Sequence, residues 1–123
     1  MNGSKLLVDT NIVLYFLKGD DEIARFFSDY DLAVSFITEL ELLSFGQIST
    51  EDDQIIRTFL QYVRIIDITA EIKTQTIEIR KESNLKLPDA IIAATAISQD
   101  LPFLTADTGF SKVKDPRIIL YEL

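Results

Sequence analysis

Short apolar runs alternate along this chain with longer stretches in which apolar side chains recur every three or four residues. Leu6-Leu7-Val8 has the length and uniform hydrophobicity of a strand buried on both faces, which predicts a strand over 6–9. The sequence turns apolar again at Ile12-Val13-Leu14, in a helix predicted from Asn11 to Lys18 and stopped by Gly19. Ile23, Phe26 and Phe27 have helical spacing and predict a helix over 21–29. A strand follows over Leu32–Phe36, then helices from Thr38 to Phe45 and from Thr50 to Tyr62, and a strand over Arg64–Ile68.

Ile72, Thr76 and Ile79 share one side of a helix predicted over Thr69–Ser83. Pro88 sits where a first helical turn tolerates it and opens a helix to Gln99. Phe103-Leu104 reads as a short strand, Asp107–Phe110 as a turn or single helical turn, and Arg117–Tyr121 as a last strand. Strands separated by helical segments predict an α/β fold, a parallel sheet covered by helices on both faces. No internal repeat or Pro/Gly-rich linker divides the chain, so one domain over residues 1–123 is expected.

Four acids stand at predicted strand-to-helix junctions: Asp9, Glu41, Asp89 and Asp107. In open α/β sheets these junctions gather along one edge, where ligands bind. Each acid alone has a structural explanation. Asp9 and Asp107 are suited to cap the turns that begin after them, Thr38 and Glu41 fit a capping box, and Asp89 complements a helix dipole. Together they are harder to explain, because the helix after Pro88 is apolar nearly all round and places Asp89 where a lone charge is costly. Within three residues of Asp9, Glu41 or Asp107 there is no lysine or arginine, and Lys86 beside Asp89 is expected to reach solvent. Two carboxylates about 4 Å apart repel by roughly 4 kcal/mol at an effective dielectric of 20. A cluster of four therefore calls for protons or a cation, and in the cation-free chain at least one pKa is expected to rise.

Composition narrows the chemistry. The 123 residues include no cysteine and no histidine, which removes disulfides, thiolate nucleophiles, zinc-thiolate sites and histidine-based triads. An all-oxygen donor set suits Mg²⁺ or Mn²⁺, and the reaction it implies is metal-assisted hydrolysis of a phosphodiester. Net charge is −8, with twelve acids against five bases in residues 1–70 and eight against seven in 71–123. A protein that only coats nucleic acid would be basic. Neither a membrane-length apolar run nor a signal peptide is present, so a cytoplasmic location is expected and no membrane partner.

VDTNIVLYFL, SFITELELL, LPDAIIAATA and FLTADTGF, in this order and at these spacings, resemble a PIN domain, and most of all the VapC-type toxins of toxin–antitoxin pairs. The resemblance covers nearly the whole chain, and LPDAIIAATA is its most specific part. It implies a three-layer α/β/α fold with a central, mostly parallel sheet of about five strands. It also implies a Mg²⁺- or Mn²⁺-dependent endoribonuclease that cuts tRNA or rRNA, forms a homodimer and is held inactive by a cognate antitoxin. The family's acidic site maps onto the same Asp9, Glu41, Asp89 and Asp107, with Asp9 and Asp89 as direct metal ligands. Thr10 and Asn11 match the DTN motif and Thr105 the hydroxyl before the last acid; these three support the acids. Some members carry a further acid where this chain has Gly109.

Two other readings compete. An aspartyl-phosphate mechanism would want a second Asp where Asn11 stands, and a PIN-like module could bind RNA or protein without cutting. Lys73, Arg80, Lys81 and Lys86, or Lys112, Lys114 and Arg117, are candidate strips for RNA phosphates, against the plainer reading of a solvated face. Phe26, Phe27, Phe36, Phe45 and Phe59 have core-like spacing and are read as packing rather than as platforms for bases.

Overall fold

The computed structural model describes residues 4–122. Five strands form one sheet: β1 (Lys5–Val8), β2 (Asp31–Ser35), β3 (Arg64–Ile66), β4 (Phe103–Thr105) and β5 (Ile118–Leu120). Their spatial order is β3-β2-β1-β4-β5, and every pairing is parallel. The helices are α1 (Thr10–Leu17), α2 (Asp21–Phe27), α3 (Phe36–Leu43), α4 (Thr50–Tyr62), α5 (Ala70–Glu82) and α6 (Leu87–Gln99), and a 3₁₀ turn spans Thr108–Lys112. Among the described residues no helix is long and apolar enough to cross a membrane.

The apolar strands are buried on both faces, as their composition requires. Leu6 and Val8 face one layer with Ile12, Val13, Ile23, Phe27, Leu42, Ile56 and Phe59. Leu7, between them, faces the other layer with Ile72, Ile79, Ile92, Phe103 and Phe110. α6 lies in that second layer, where Ala90, Ala93, Ala94 and Ala96 are fully buried and the small side chains let the helix sit close against its neighbours. The expected three-layer α/β/α architecture is therefore observed.

The chain builds outward from β1 to β2 and β3, then returns to place β4 on β1's free side. The direction of winding thus reverses between β1 and β4, and the connections leaving their carboxyl ends diverge there. Open parallel sheets form their ligand crevice at such a point.

One boundary differs in a way that matters. β2 ends at Ser35 and α3 begins at Phe36, two residues before the predicted start at Thr38. Ser35 is the cap, its hydroxyl accepting from Ile37 N at 3.0 Å. The capping box read at Thr38 and Glu41 does not form, because both already lie inside the helix. Asp9 and Asp107 do cap: they accept from Thr10 N and Gly109 N, each at 2.8 Å.

Candidate active site

Asp9 leaves β1 at the reversal point and is 7% exposed. Its Oδ1 accepts from Thr10 N at 2.8 Å, and its Oδ2 accepts from the Thr105 hydroxyl at 2.6 Å. Burial raises its pKa to about 6; these two hydrogen bonds oppose the rise, and the charges of Asp89 and Glu41 add to it. The expectation of a raised pKa holds, but desolvation contributes more than mutual repulsion.

Thr105 closes β4 and is fully buried. Besides donating to Asp9, its hydroxyl accepts from Asp107 N at 3.0 Å, so one side chain joins the end of β1 to the loop carrying Asp107. That loop is anchored from below by Phe110, whose ring meets Phe103 edge-on at 5.0 Å between centroids. Gly109 also has a local reason: a Cβ there would lie 3.1 Å from the Asp107 carboxylate.

Glu41 comes from the second turn of α3. Instead of capping its own helix, it accepts from the Thr10 hydroxyl at 2.5 Å. Thr10 and Thr38 place their hydroxyls 3.2 Å apart, and Thr38 is fully buried beneath them. Asn11 Oδ1 meets Ala106 N at a long 3.5 Å. Asp89 stands in the first turn of α6, whose preceding residue, Lys86, makes no side-chain cap. Its pKa is raised by partial burial and by the charges of Asp107 and Glu41, with Lys86 opposing.

An open cleft of about 550 Å³ is lined by Asp9, Glu41, Asp89 and Asp107 together with Thr10 and Asn11. All four predicted acids therefore meet one space, and Thr105 supports it from beneath. None of the ion pairs among the described residues involves any of the four. Among those residues no group of three or more acids is drawn tightly enough to hold an ion as it stands. The donor set nevertheless fits a hard divalent cation: every donor is oxygen, and among the described residues the buried Asp9 carboxylate has no ion-pair partner.

Sequence reasoning missed Thr38 and assigned Phe45 to the core. Phe45, just beyond α3, is 40% exposed and lines the acidic cleft with Leu14 and Ser44. Its place among core-spaced phenylalanines gave no sign of this, since the chain leaves the helix before reaching it. Of the others, Phe27 and Phe59 are buried as expected. Arg117 is engaged by Asp100 at 2.8 Å and Asp115 at 3.0 Å, which removes it from the second basic strip.

A family model described as PIN domain matches residues 6–116. A chain of a toxin–antitoxin complex from Klebsiella pneumoniae is 33% identical, with a TM-score of 0.82 over 96% of this chain and 99% of that one. VapBC2 from Rickettsia felis, solved bound to a DNA fragment from its promoter, matches at 24% identity and a TM-score of 0.80, covering 95% and 97%. DNA-bound VapBC from Salmonella typhimurium matches at 22% and 0.81, covering 96% and 97%. At these two lower identities the likeness is one of fold. No curated protein sequence matches the chain.

Proposed function

This chain belongs to the PIN domain family, and from that premise we infer that it is the toxin of a VapBC-type toxin–antitoxin pair, a metal-dependent endoribonuclease. The gathering of Asp9, Glu41, Asp89 and Asp107 around one cleft, with no lysine or arginine ion-paired to any of them among the described residues, carries the catalytic part of this reading. The toxin assignment is supported by the likeness to a chain of a toxin–antitoxin complex. A cognate antitoxin, a homodimeric state and a cytoplasmic setting go with it.

Asp9 and Asp89 are the residues to hold Mg²⁺ or Mn²⁺ directly; Glu41 and Asp107 act through water or orient the attacking water. The ion would neutralise phosphoryl charge and make water acidic enough to attack near neutral pH. Thr105 holds Asp9 in place and ties it to the Asp107 loop, while Thr10 aims Glu41. Asn11 steadies the same loop at Ala106. In the overall reaction water adds to phosphorus, the bond from phosphorus to a ribose oxygen breaks, and that oxygen departs with a proton.

The test is cleavage of defined tRNA and rRNA with Mg²⁺, with Mn²⁺ and with EDTA, beside Asp89→Asn prepared identically. Discrete products that require metal and fall at least about 100-fold in the variant are expected, the scale of losing one transition-state electrostatic contact. Folded, partner-free protein that cuts none of these RNAs would favour a binding module.

A further inference from the structure

We propose that Phe45 stacks against an unpaired nucleobase next to the scissile phosphate, so that the cleft selects single-stranded over duplex RNA. This rests on the RNA-cleaving reading above. Three observations place the ring in that role.

Phe45 belongs to neither of the two apolar clusters that cover the faces of the sheet. It pairs with no other aromatic ring among the described residues. It nonetheless lines the same cleft as all four acids, next to the half-buried Leu14. Phenylalanine has no polar tip to justify its 40% exposure, and no ring among the described residues stacks on it, which leaves its exposed part free to meet a ligand in the cleft.

The surroundings limit what can cover it. The cleft's four carboxylates repel an anionic group that arrives without a cation, whereas the flat face of a neutral base carries no such penalty. A cleft of about 550 Å³ has the size of a small-ligand site, within the usual span of about 300 to 1,000 Å³. In a duplex both faces of each base are already stacked, so only a base freed from its neighbours can meet the ring. Aromatic stacking tolerates any base. Phe45 would therefore select for strandedness and leave the choice of sequence to other contacts.

The chain contains no tryptophan, so Phe45→Trp introduces a single indole at the point of contact. The probe is a random-sequence 12-mer RNA, single-stranded or annealed to its complement, titrated in Mg²⁺ into full-length protein carrying Asp89→Asn to prevent cleavage. Single-stranded RNA should quench the indole, and an equal concentration of duplex or of inorganic phosphate should leave it bright. In the same background, Phe45→Ala should weaken single-strand binding about 5- to 150-fold, while Phe45→Trp retains it. A melting curve confirms that each variant is folded, and the quench reports the contact independently of Phe45→Ala.

Equal affinity of Phe45→Ala and its Phe45 parent for single-stranded RNA, or quenching by duplex as strong as by single strand, overturns the proposal while leaving the nuclease reading intact. A Phe45→Ala chain that cuts RNA normally but escapes inhibition by its protein partner would assign the ring to that partner, and also overturns it. If the Phe45 parent binds neither form of RNA, this proposal falls; the nuclease reading falls with it only where protein with Asp89 intact also cuts neither form.

Discussion

The two ends of the parallel sheet are hollowed in opposite ways. At the amino ends of β2 and β3, between α2 and α4, lies an apolar groove of about 840 Å³ walled by Phe16, Phe27, Tyr30, Ile55, Phe59 and Tyr62. At the carboxyl ends of β1 and β4 lies the smaller cleft with four acids. The groove's walls are continuous with the core: the Phe16 ring lies 4.9 Å from Phe27 and 6.1 Å from Phe59 between centroids, and Phe27 and Phe59 are buried. The cleft's walls instead hold carboxylates, and the pKa values of two of them, Asp9 and Asp89, are raised first by burial and then by the neighbouring acidic charges. Hollow size therefore follows the packing of large apolar side chains, whereas chemistry follows topology. Substitutions in the groove should act on stability, and substitutions in the cleft on activity, some of them with a gain in stability.

The largest stability effect should come from the groove. Phe59→Ala is expected to destabilise by about 3–5 kcal/mol, through lost burial and an unfilled cavity, as measured by urea unfolding. Cleavage per folded molecule should be unchanged. A folded Phe59→Ala protein that cannot cleave would break the separation between the two ends.

Next comes the cleft, with the opposite sign. The folded chain holds the Asp9 proton more tightly than the unfolded chain, because the pKa is about 6 rather than 3.8. Without metal, this contribution to stability is therefore full below pH 3.8, declines as pH rises through 6, and is absent above it. Measured in EDTA, wild type should lose about 3 kcal/mol relative to Asp9→Asn between pH 3.5 and 7.5, the difference isolating this one group. Parallel stability profiles for the two proteins would show that Asp9 is not desolvated in the way its burial requires.

The smallest effect should come from the joint beneath the cleft. Thr105→Val removes the hydroxyl that donates to Asp9 and accepts from Asp107 N. It should lower stability by about 1.5 kcal/mol near neutral pH and raise the Asp9 titration midpoint, which carboxyl-carbon NMR would follow. A midpoint that stays put would mean that Thr105 holds only the loop.

Much of this was legible locally. The uninterrupted hydrophobicity of Leu6–Val8 and Phe103-Leu104 marked strands buried on both faces, and Pro88 marked the opening of α6 to within a residue. Asp9 and Asp107 were readable as caps and as candidate site residues, and they occupy both positions at once. Glu41 was harder, because Ser-Phe-Ile-Thr offers two cap candidates and only packing selects Ser35. Phe45 was not legible at all: periodicity reports which side chains share a helix face, and says nothing once the chain has left the helix.

The sequence by itself determined the alternation of strand and helix, the parallel α/β class and the placing of acids at four junctions. Each of these depends on residues a few positions apart, whose spacing and capping preferences act before the chain is compact. The tertiary structure decided the strand order, and with it which junctions face each other. The Thr105 hydroxyl reaches Asp9 across 96 residues and the Thr10 hydroxyl reaches Glu41 across 31. A carboxylate's pKa and orientation are set by such partners and by burial. For this reason four acids that are individually ordinary as caps become, once β4 lies beside β1, the walls of a single cleft.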